Sequence, residues 1–251
     1  MKPTEVNVSK CISCGLCLLQ CKSNVLSKDS VSKKINVNLA ENCIECSLCI
    51  AVCPTGALTV KNELPPEVEE IPDEIEMLKI LRKRRSMRKY SENSISNEEL
   101  KKLAGFARYA PTGSNRQGIR VLFIVDKNIQ KKILDTLMKV YIGLKKVTSL
   151  PLAGLIARLF IPKSRIAREK KALNTFINRY KDGEDLLFYN APVICFIISY
   201  KGESSTPKDD ACYALYNMVL GAESMGLSSC INQLAVIAYK VKKRKIKKIL
   251  N

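Results

Sequence analysis

Cys11-Ile-Ser-Cys14-Gly-Leu-Cys17-Leu-Leu-Gln-Cys21 returns as Cys43-Ile-Glu-Cys46-Ser-Leu-Cys49-Ile-Ala-Val-Cys53, an offset of 32 residues from Cys11 to Cys43. Leu26 then finds its counterpart in Leu58. Each copy is too short to bury a core by itself, so the two are expected to pack as a pseudo-twofold pair. Between them, the alternation of Ile35, Val37 and Leu39 predicts a short strand. Residues 1–60 therefore read as one small domain made by duplication.

The spacing inside each copy is C-x2-C-x2-C-x3-C, with Pro54 after the second. Thiolates are the soft ligands that iron–sulfur cores take. The x2 spacings let three cysteines wrap one cube, and a short helix carries the fourth to another. Structural zinc usually takes two separated C-x2-C pairs, and four cysteines within eleven residues are too crowded for it. Disulfide bonding or simple burial gives no reason for a duplicated ligand spacing.

The first fifty-five or so residues resemble the bacterial two-cluster ferredoxins. This implies two [4Fe–4S] clusters, one on Cys11, Cys14, Cys17 and Cys53, the other on Cys43, Cys46, Cys49 and Cys21. One position departs: Lys22 follows Cys21 where that family has Pro. No ligand is lost, and the ammonium is expected to raise the potential of the Cys21 cluster by stabilising its reduced state.

The whole chain has 251 residues, 46% of them hydrophobic, which suffices for a buried core. It has no His, so triads, imidazole zinc sites and imidazole proton shuttles are excluded. Met1–Lys10 has no apolar run of signal-peptide type. The apolar stretch Leu150–Phe160 is broken by Arg158 and is too short to span a membrane. A cytoplasmic, reduced protein is expected. Net charge is +18, unevenly spread: Glu63–Glu76 holds seven acids and no base, Lys240–Asn251 seven bases and no acid. Without a nucleic-acid motif, the basic run reads as a solvated helix face, and no nucleic-acid partner is expected.

Residues 61–72 (KNELPPEVEEIP) read as a semi-stiff linker, leaving residues 73–251 as a second domain. Asp73 is placed to cap a helix bearing Ile75, Leu78 and Leu81, and Ser96-Asn-Glu-Glu99 is a capping box before Leu100, Leu103 and Ala107. Val121–Val125 and Val193–Ile198 read as buried strands, Asp209–Met225 as a core helix and Lys240–Leu250 as a terminal one. The fold class is α+β: a small two-cluster domain, then an α/β sandwich with a central sheet covered by helices. Met138–Asp182 is a long basic and apolar insert, read as a pocket lid, a partner surface or extra helical packing.

Two segments of the second domain carry polar chemistry. Arg84-Arg85-Ser86-Met87-Arg88 sets three guanidiniums and a hydroxyl at a helix end, a pattern suited to a phosphate monoester. Ala110-Pro-Thr-Gly-Ser-Asn-Arg-Gln117 is a small polar loop before a strand. With Asn190-Ala-Pro-Val193 and Gly226-Leu-Ser-Ser-Cys230 following in order, these segments resemble the nitroreductase family over about 70% of the chain. The resemblance implies FMN, with Arg84, Arg85, Ser86 and Arg88 at its phosphate and ribityl chain. Thr112 and Asn115 would lie at the ring and ribityl oxygens, and Ser228, Ser229 and Cys230 along the ring toward N5. Cys195, Cys212 and Cys230 themselves read as small core residues. No individual catalytic side chain is assigned.

Such a protein is expected to pass electrons from the clusters to FMN and on to a small organic acceptor, a nitroaromatic, a quinone or a related compound. The donor would be reduced ferredoxin or NAD(P)H, and a homodimer is implied because the family pocket lies at a dimer interface. In one respect the pattern departs. Nitroreductases usually end in a strand with a Gly-Tyr-type motif and a further basic residue, whereas this sequence stops at Asn251 after the Lys240–Leu250 helix. That departure supports an alternative, a non-catalytic electron-transfer or adaptor iron–sulfur protein with a degenerate flavin site.

Overall fold

The computed structural model describes residues 4–61, 72–151 and 162–250. The chain forms two compact units. The first comprises Met1–Met77, Ala110–Ile119 and Ser199–Ala214, the second Leu78–Tyr109, Arg120–Ile198 and Leu215–Asn251. Of the expected linker at 61–72, all but the two end residues lies outside the described residues.

In the first unit the duplication is visible in the backbone. Strand β1 (Thr4–Val6) runs antiparallel to β4 (Leu58–Val60), with Thr4 opposite Val60. Strand β2 (Leu26–Lys28) runs antiparallel to β3 (Ile35–Val37), with Leu26 opposite Val37. Each ribbon thus joins the first half of the domain to the second, as two halves without cores of their own require. Helices α1 (Leu16–Gln20) and α2 (Leu48–Ala51) begin at matching positions of the two copies. The shared core holds Leu26 with Leu58 and Ile35 with Ile50, all under 8% exposed. Leu39, counted in the predicted strand, falls just outside β3, because the chain turns there into a short 3-10 helix (Ala40–Asn42).

Further along the chain, α3 (Glu74–Lys83) opens where Asp73 Oδ1 accepts the Glu76 N–H at 2.8 Å. The expected capping box starts α4 (Asn97–Arg108): Ser96 Oγ accepts the Glu99 N–H at 3.2 Å, and Glu99 Oε2 accepts the Ser96 N–H at 2.8 Å. Strands β5 (Ile119–Ile124) and β6 (Ile194–Ser199) are hydrogen-bonded neighbours. They match the predicted strands apart from a residue or two at each end. Val125 leaves β5 because Asp126 caps the next helix, α5 (Lys127–Thr148), accepting the Asn128 and Ile129 N–H groups. The buried Gln130 amide ties the Ile124 carbonyl to that of Pro192 at 2.8 and 3.0 Å.

Helices α6 (Lys163–Lys181), α7 (Pro207–Ser224) and α8 (Gln233–Leu250) complete the described elements. The core of the second unit gathers Ile124, Ile133, Leu137, Met138, Tyr141, Ile177, Ile194, Ala238 and Ile246. Tyr141 packs edge-on to Phe176 with ring centroids 5.1 Å apart, and its hydroxyl donates to the Leu234 carbonyl at 2.7 Å. In the described part of the 138–182 insert, Met138 and Ile177 are each 1% exposed and belong to this core. Helix α8 starts seven residues before the predicted one, where Asn232 Oδ1 accepts the Ala235 N–H at 2.9 Å. The protein is α+β.

Candidate functional site

In the first unit, Cys11, Cys14, Cys17 and Cys53 line one cavity together with Ser13, Gly15 and Thr55, about 330 Å³ including its open mouth. Ser13 and Gly15 of that lining belong to a set of left-handed backbone positions that both copies share. Ser13, Gly15 and Asn24 have φ of 57°, 82° and 54°, and Glu45, Ser47 and Gly56, the matching positions of the second copy, have 55°, 57° and 60°. Such residues turn successive peptide N–H groups into a concavity that suits an anionic core. Two N–H groups already reach sulfur, Glu45 to Cys43 Sγ at 3.4 Å and Ala57 to Cys53 Sγ at 3.3 Å. The Thr4 hydroxyl lies 3.2 Å from Cys43 Sγ.

Electrostatics group the remaining cysteines. The Cys49 thiol is pushed up to about 11, first by burial and then by Cys46, Cys21 and Cys43. Cys21 therefore sits with the second copy's cysteines, across the duplication. Burial also raises Cys17, with the neighbouring Cys11 and Cys14 adding to it. At Cys53 burial works upward too, but N–H groups of Ala57, Thr55 and Gly56 outweigh it and hold the thiol below its usual range. A lone zinc takes four thiolates at about 2.3 Å, whereas two cubanes take two sets of four; the sets Cys11, Cys14, Cys17, Cys53 and Cys21, Cys43, Cys46, Cys49 fit clusters.

The phosphate-type segment follows directly on α3 in the second unit. Ser86 and Ser229 form a parallel bridge, and the Met87 N–H donates to the Ser229 carbonyl at 3.0 Å. The structure thus joins Arg84–Arg88 to Ser228–Cys230, segments far apart in sequence. Arg84 is half-buried and its Nε is buried without an acceptor. A buried guanidinium donor left unpaired is costly, and a phosphate oxygen would satisfy it. Arg85 instead turns back, its Nη1 donating to the carbonyls of Arg82 and Arg84 at the end of α3. Arg88 lies 5.9 Å over the Tyr189 ring.

Two residues here escaped the sequence reading. The Tyr90 hydroxyl donates to the Met87 carbonyl at 2.8 Å. Its pKa is pushed up to about 12, by burial first, then by Cys230 and Tyr189, with Arg88 opposing. Tyr189 has φ of 56°. The only sequence signal for either was adjacency, Tyr90 two residues past Arg88 and Tyr189 just before Asn190. Cys195, in β6, is pushed up to about 12 by burial and stays a thiol.

Thr112 and Asn115 belong to the first unit. Thr112 Oγ1 accepts the Gln117 N–H at 3.0 Å, and the Gly113 N–H donates to Asp210 Oδ1 at 3.0 Å. Asn115 Nδ2 donates to the carbonyls of Ile44 at 3.1 Å and Glu45 at 2.8 Å, both between Cys43 and Cys46.

A duplicated, cysteine-lined domain followed by an α+β domain defines a two-cluster iron–sulfur protein with a second module. Residues 10–57 match the 4Fe-4S dicluster domain, and residues 81–251 match the Nitroreductase family. The chain belongs to the nitroreductase family, with a two-[4Fe–4S] ferredoxin domain at its N-terminal side. No curated protein matches it. Among solved structures it is similar to a BluB-like flavoprotein from Clostridium difficile 630, at 19% identity over 70% of this chain and 80% of that one, TM-score 0.48. A nitroreductase with bound FMN from Desulfitobacterium hafniense DCB-2 is 21% identical over 68% and 78%, TM-score 0.48. One from Bacteroides fragilis NCTC 9343, also with bound FMN, is 16% identical over 71% and 79%, TM-score 0.47.

Proposed function

We propose that this protein is an FMN-dependent oxidoreductase that takes electrons through two [4Fe–4S] clusters and delivers them to a small organic acceptor such as a nitroaromatic or quinone. The observation that carries this reading is the sorting of eight N-terminal cysteines into two sets on a chain whose residues 81–251 match the Nitroreductase family. Cys11, Cys14, Cys17 and Cys53 would hold one cluster and Cys21, Cys43, Cys46 and Cys49 the other. Arg84 would meet the FMN phosphate through its unpaired Nε, beside Ser86, Arg88, Ser229 and Cys230. Bound FMN supplies the two-electron chemistry.

The chain's own residues do the rest. Inward N–H groups stabilise thiolate charge, and the Arg84–Arg88 segment offers cations to an anionic cofactor. Tyr90, with its high pKa, keeps its proton at neutral pH. The ferredoxin-type domain is set at residues 1–60 and the flavin domain at 73–251. Carrying donor and acceptor domains on one chain gives high effective concentration. Reduced ferredoxin or NAD(P)H is the proposed donor, in a homodimer working in the cytoplasm, where thiols stay reduced. Among the described residues no helix is long and apolar enough to cross a membrane.

Anaerobic purification followed by iron, sulfide and flavin analysis tests the proposal. Two clusters' worth of iron and sulfide together with stoichiometric FMN is the expected result. Clusters without flavin would overturn it in favour of an electron-transfer adaptor.

A further inference from the structure

Both N–H donors of the Asn115 carboxamide are used. Its Nδ2 donates to the Ile44 and Glu45 carbonyls at 3.1 and 2.8 Å, and its Oδ1 accepts from Gln117 Nε2 at 3.3 Å. No donor is left for a flavin oxygen. The two carbonyls it holds belong to the dipeptide between Cys43 and Cys46, more than 65 residues earlier in the chain.

A trans peptide points its C=O and the following N–H in opposite directions, and the described residues contain no cis bond. Fixing the Ile44 carbonyl on Asn115 therefore aims the Glu45 N–H the other way. That N–H reaches Cys43 Sγ at 3.4 Å. The Glu45 carbonyl and the Cys46 N–H are coupled by the same geometry. Glu45 itself sits at φ 55°, a left-handed conformation unfavourable for a residue with a Cβ, so it needs outside support. Asn115 gives that support from one side, and the ion pair between the Glu45 carboxylate and Lys61 adds a tether.

We infer that Asn115 is a positioning residue of the iron–sulfur site rather than a flavin ligand: it sets the peptides that direct N–H groups at the sulfurs of the Cys21, Cys43, Cys46 and Cys49 cluster. The inference rests on the two-cluster reading above. N–H···S bonds stabilise the more negative, reduced cluster and so raise its potential. Asn115 thereby tunes one of the two clusters.

The test is a comparison of the full chain, purified anaerobically, with Asn115→Ala and Asn115→Asp. Iron, FMN content, the electron paramagnetic resonance spectrum of the reduced protein and a potentiometric titration are recorded for each. In Asn115→Ala one of the two cluster signals changes and its midpoint moves negative, while iron and FMN stay at the wild-type level. Asn115→Asp keeps the side chain's size but replaces the donor by a carboxylate facing two carbonyls, so the same midpoint moves further negative. Unchanged spectra and midpoints in both variants would overturn the inference. So would loss of FMN with intact cluster signals, which would make Asn115 a flavin ligand after all. Wild-type protein lacking two clusters would instead bring down the parent reading, and iron analysis separates that case.

Discussion

Gly221 on α7 is buried, and a methyl group built there would stand 2.3 Å from Cδ2 and 2.4 Å from Cγ of Phe106, on α4. Carbon atoms pack at about 3.5–4.0 Å, so the ring would have to retreat by more than about 1 Å. Its main chain is restrained by Asn217 Nδ2, which donates to the Phe106 carbonyl at 3.4 Å. Phe106 is 36% exposed, so its ring can tilt outward, which limits the cost. Two terms of opposite sign then compete in Gly221→Ala. Helix propensity favours Ala by about 0.8–1.0 kcal/mol, while overpacking costs about 1–3 kcal/mol. The net is a loss of about 1 kcal/mol, which lowers Tm by roughly 2–4 °C in a domain of this size. In a Phe106→Ala background the clash is gone and only propensity remains, so the same substitution should raise Tm by a similar amount. Anaerobic thermal melts of the four proteins, followed by circular dichroism, read this reversal of sign directly. A Tm increase on Gly221→Ala in the wild-type background would refute the argument, because it would mean that Phe106 does not occupy the space over Gly221.

Cys17→Ser should remove about half the iron, one cluster of two, with the second reduced-cluster signal retained; loss of all iron would show that the clusters assemble together. Lys22→Pro should move the midpoint of one cluster negative in cyclic voltammetry, and an unchanged midpoint would discard the proposed effect of the ammonium. Ser96→Ala removes the hydroxyl that accepts the Glu99 N–H and should lower stability by about 1 kcal/mol, read as a Tm shift. In the intact capping box, the Ser96 hydroxyl and N–H hold the Glu99 carboxyl below its usual range. Its contribution is therefore complete above the unfolded carboxylate pKa of about 4.3 and is lost as pH falls through the folded value, a pH dependence that Ser96→Ala should flatten. Tyr90 and Tyr180 are both raised to about 12, so ultraviolet titration should show late tyrosinates of which Tyr90→Phe lacks one. The Tyr90 contribution to stability is complete below the unfolded phenol value of about 10 and is lost as pH rises toward 12.

Most of the iron–sulfur domain was legible because its information is local. Ligand spacing, the matched left-handed positions and the matched starts of α1 and α2 all repeat with the offset from Cys11 to Cys43, so one copy predicts the other. Caps were legible for the same reason: Asp73 and Ser96 act within three residues of themselves. The early start of α8 was hidden because the basic run from Lys240 drew the helix boundary to itself, although Asn232 is an ordinary cap and Ala235 and Ala238 lie on the buried face. What local pattern does not carry is long-range pairing. Nothing near Ser86 announces Ser229, and nothing near Asn115 announces the Ile44 carbonyl. The family resemblance assigned Asn115 by analogy, whereas side-chain hydrogen bonds are set by what the fold brings near.

The loop from Thr112 to Gln117 shows how such long-range pairing fixes a conformation that its own sequence disfavours. Ser114, Asn115 and Gln117 have φ of 52°, 52° and 49°, each costing about 1–2 kcal/mol for a residue with a Cβ. Strain of that size persists only where surrounding contacts over-determine it. Three contacts within the first unit do so: Asp210 on the Gly113 N–H, the Ile44 and Glu45 carbonyls on Asn115, and the Thr112 hydroxyl on the Gln117 N–H. Asp210 is 1% exposed. Burial alone would raise its pKa, but hydrogen bonds from Ser204, Gly113 and Thr206 outweigh that and keep it an anion. Removing the Asn115 contact would leave the strained loop held by Asp210 and by its own Thr112–Gln117 hydrogen bond. The conformation of this loop is thus specified in part by the dipeptide between Cys43 and Cys46, a long-range pairing made wholly within the first unit.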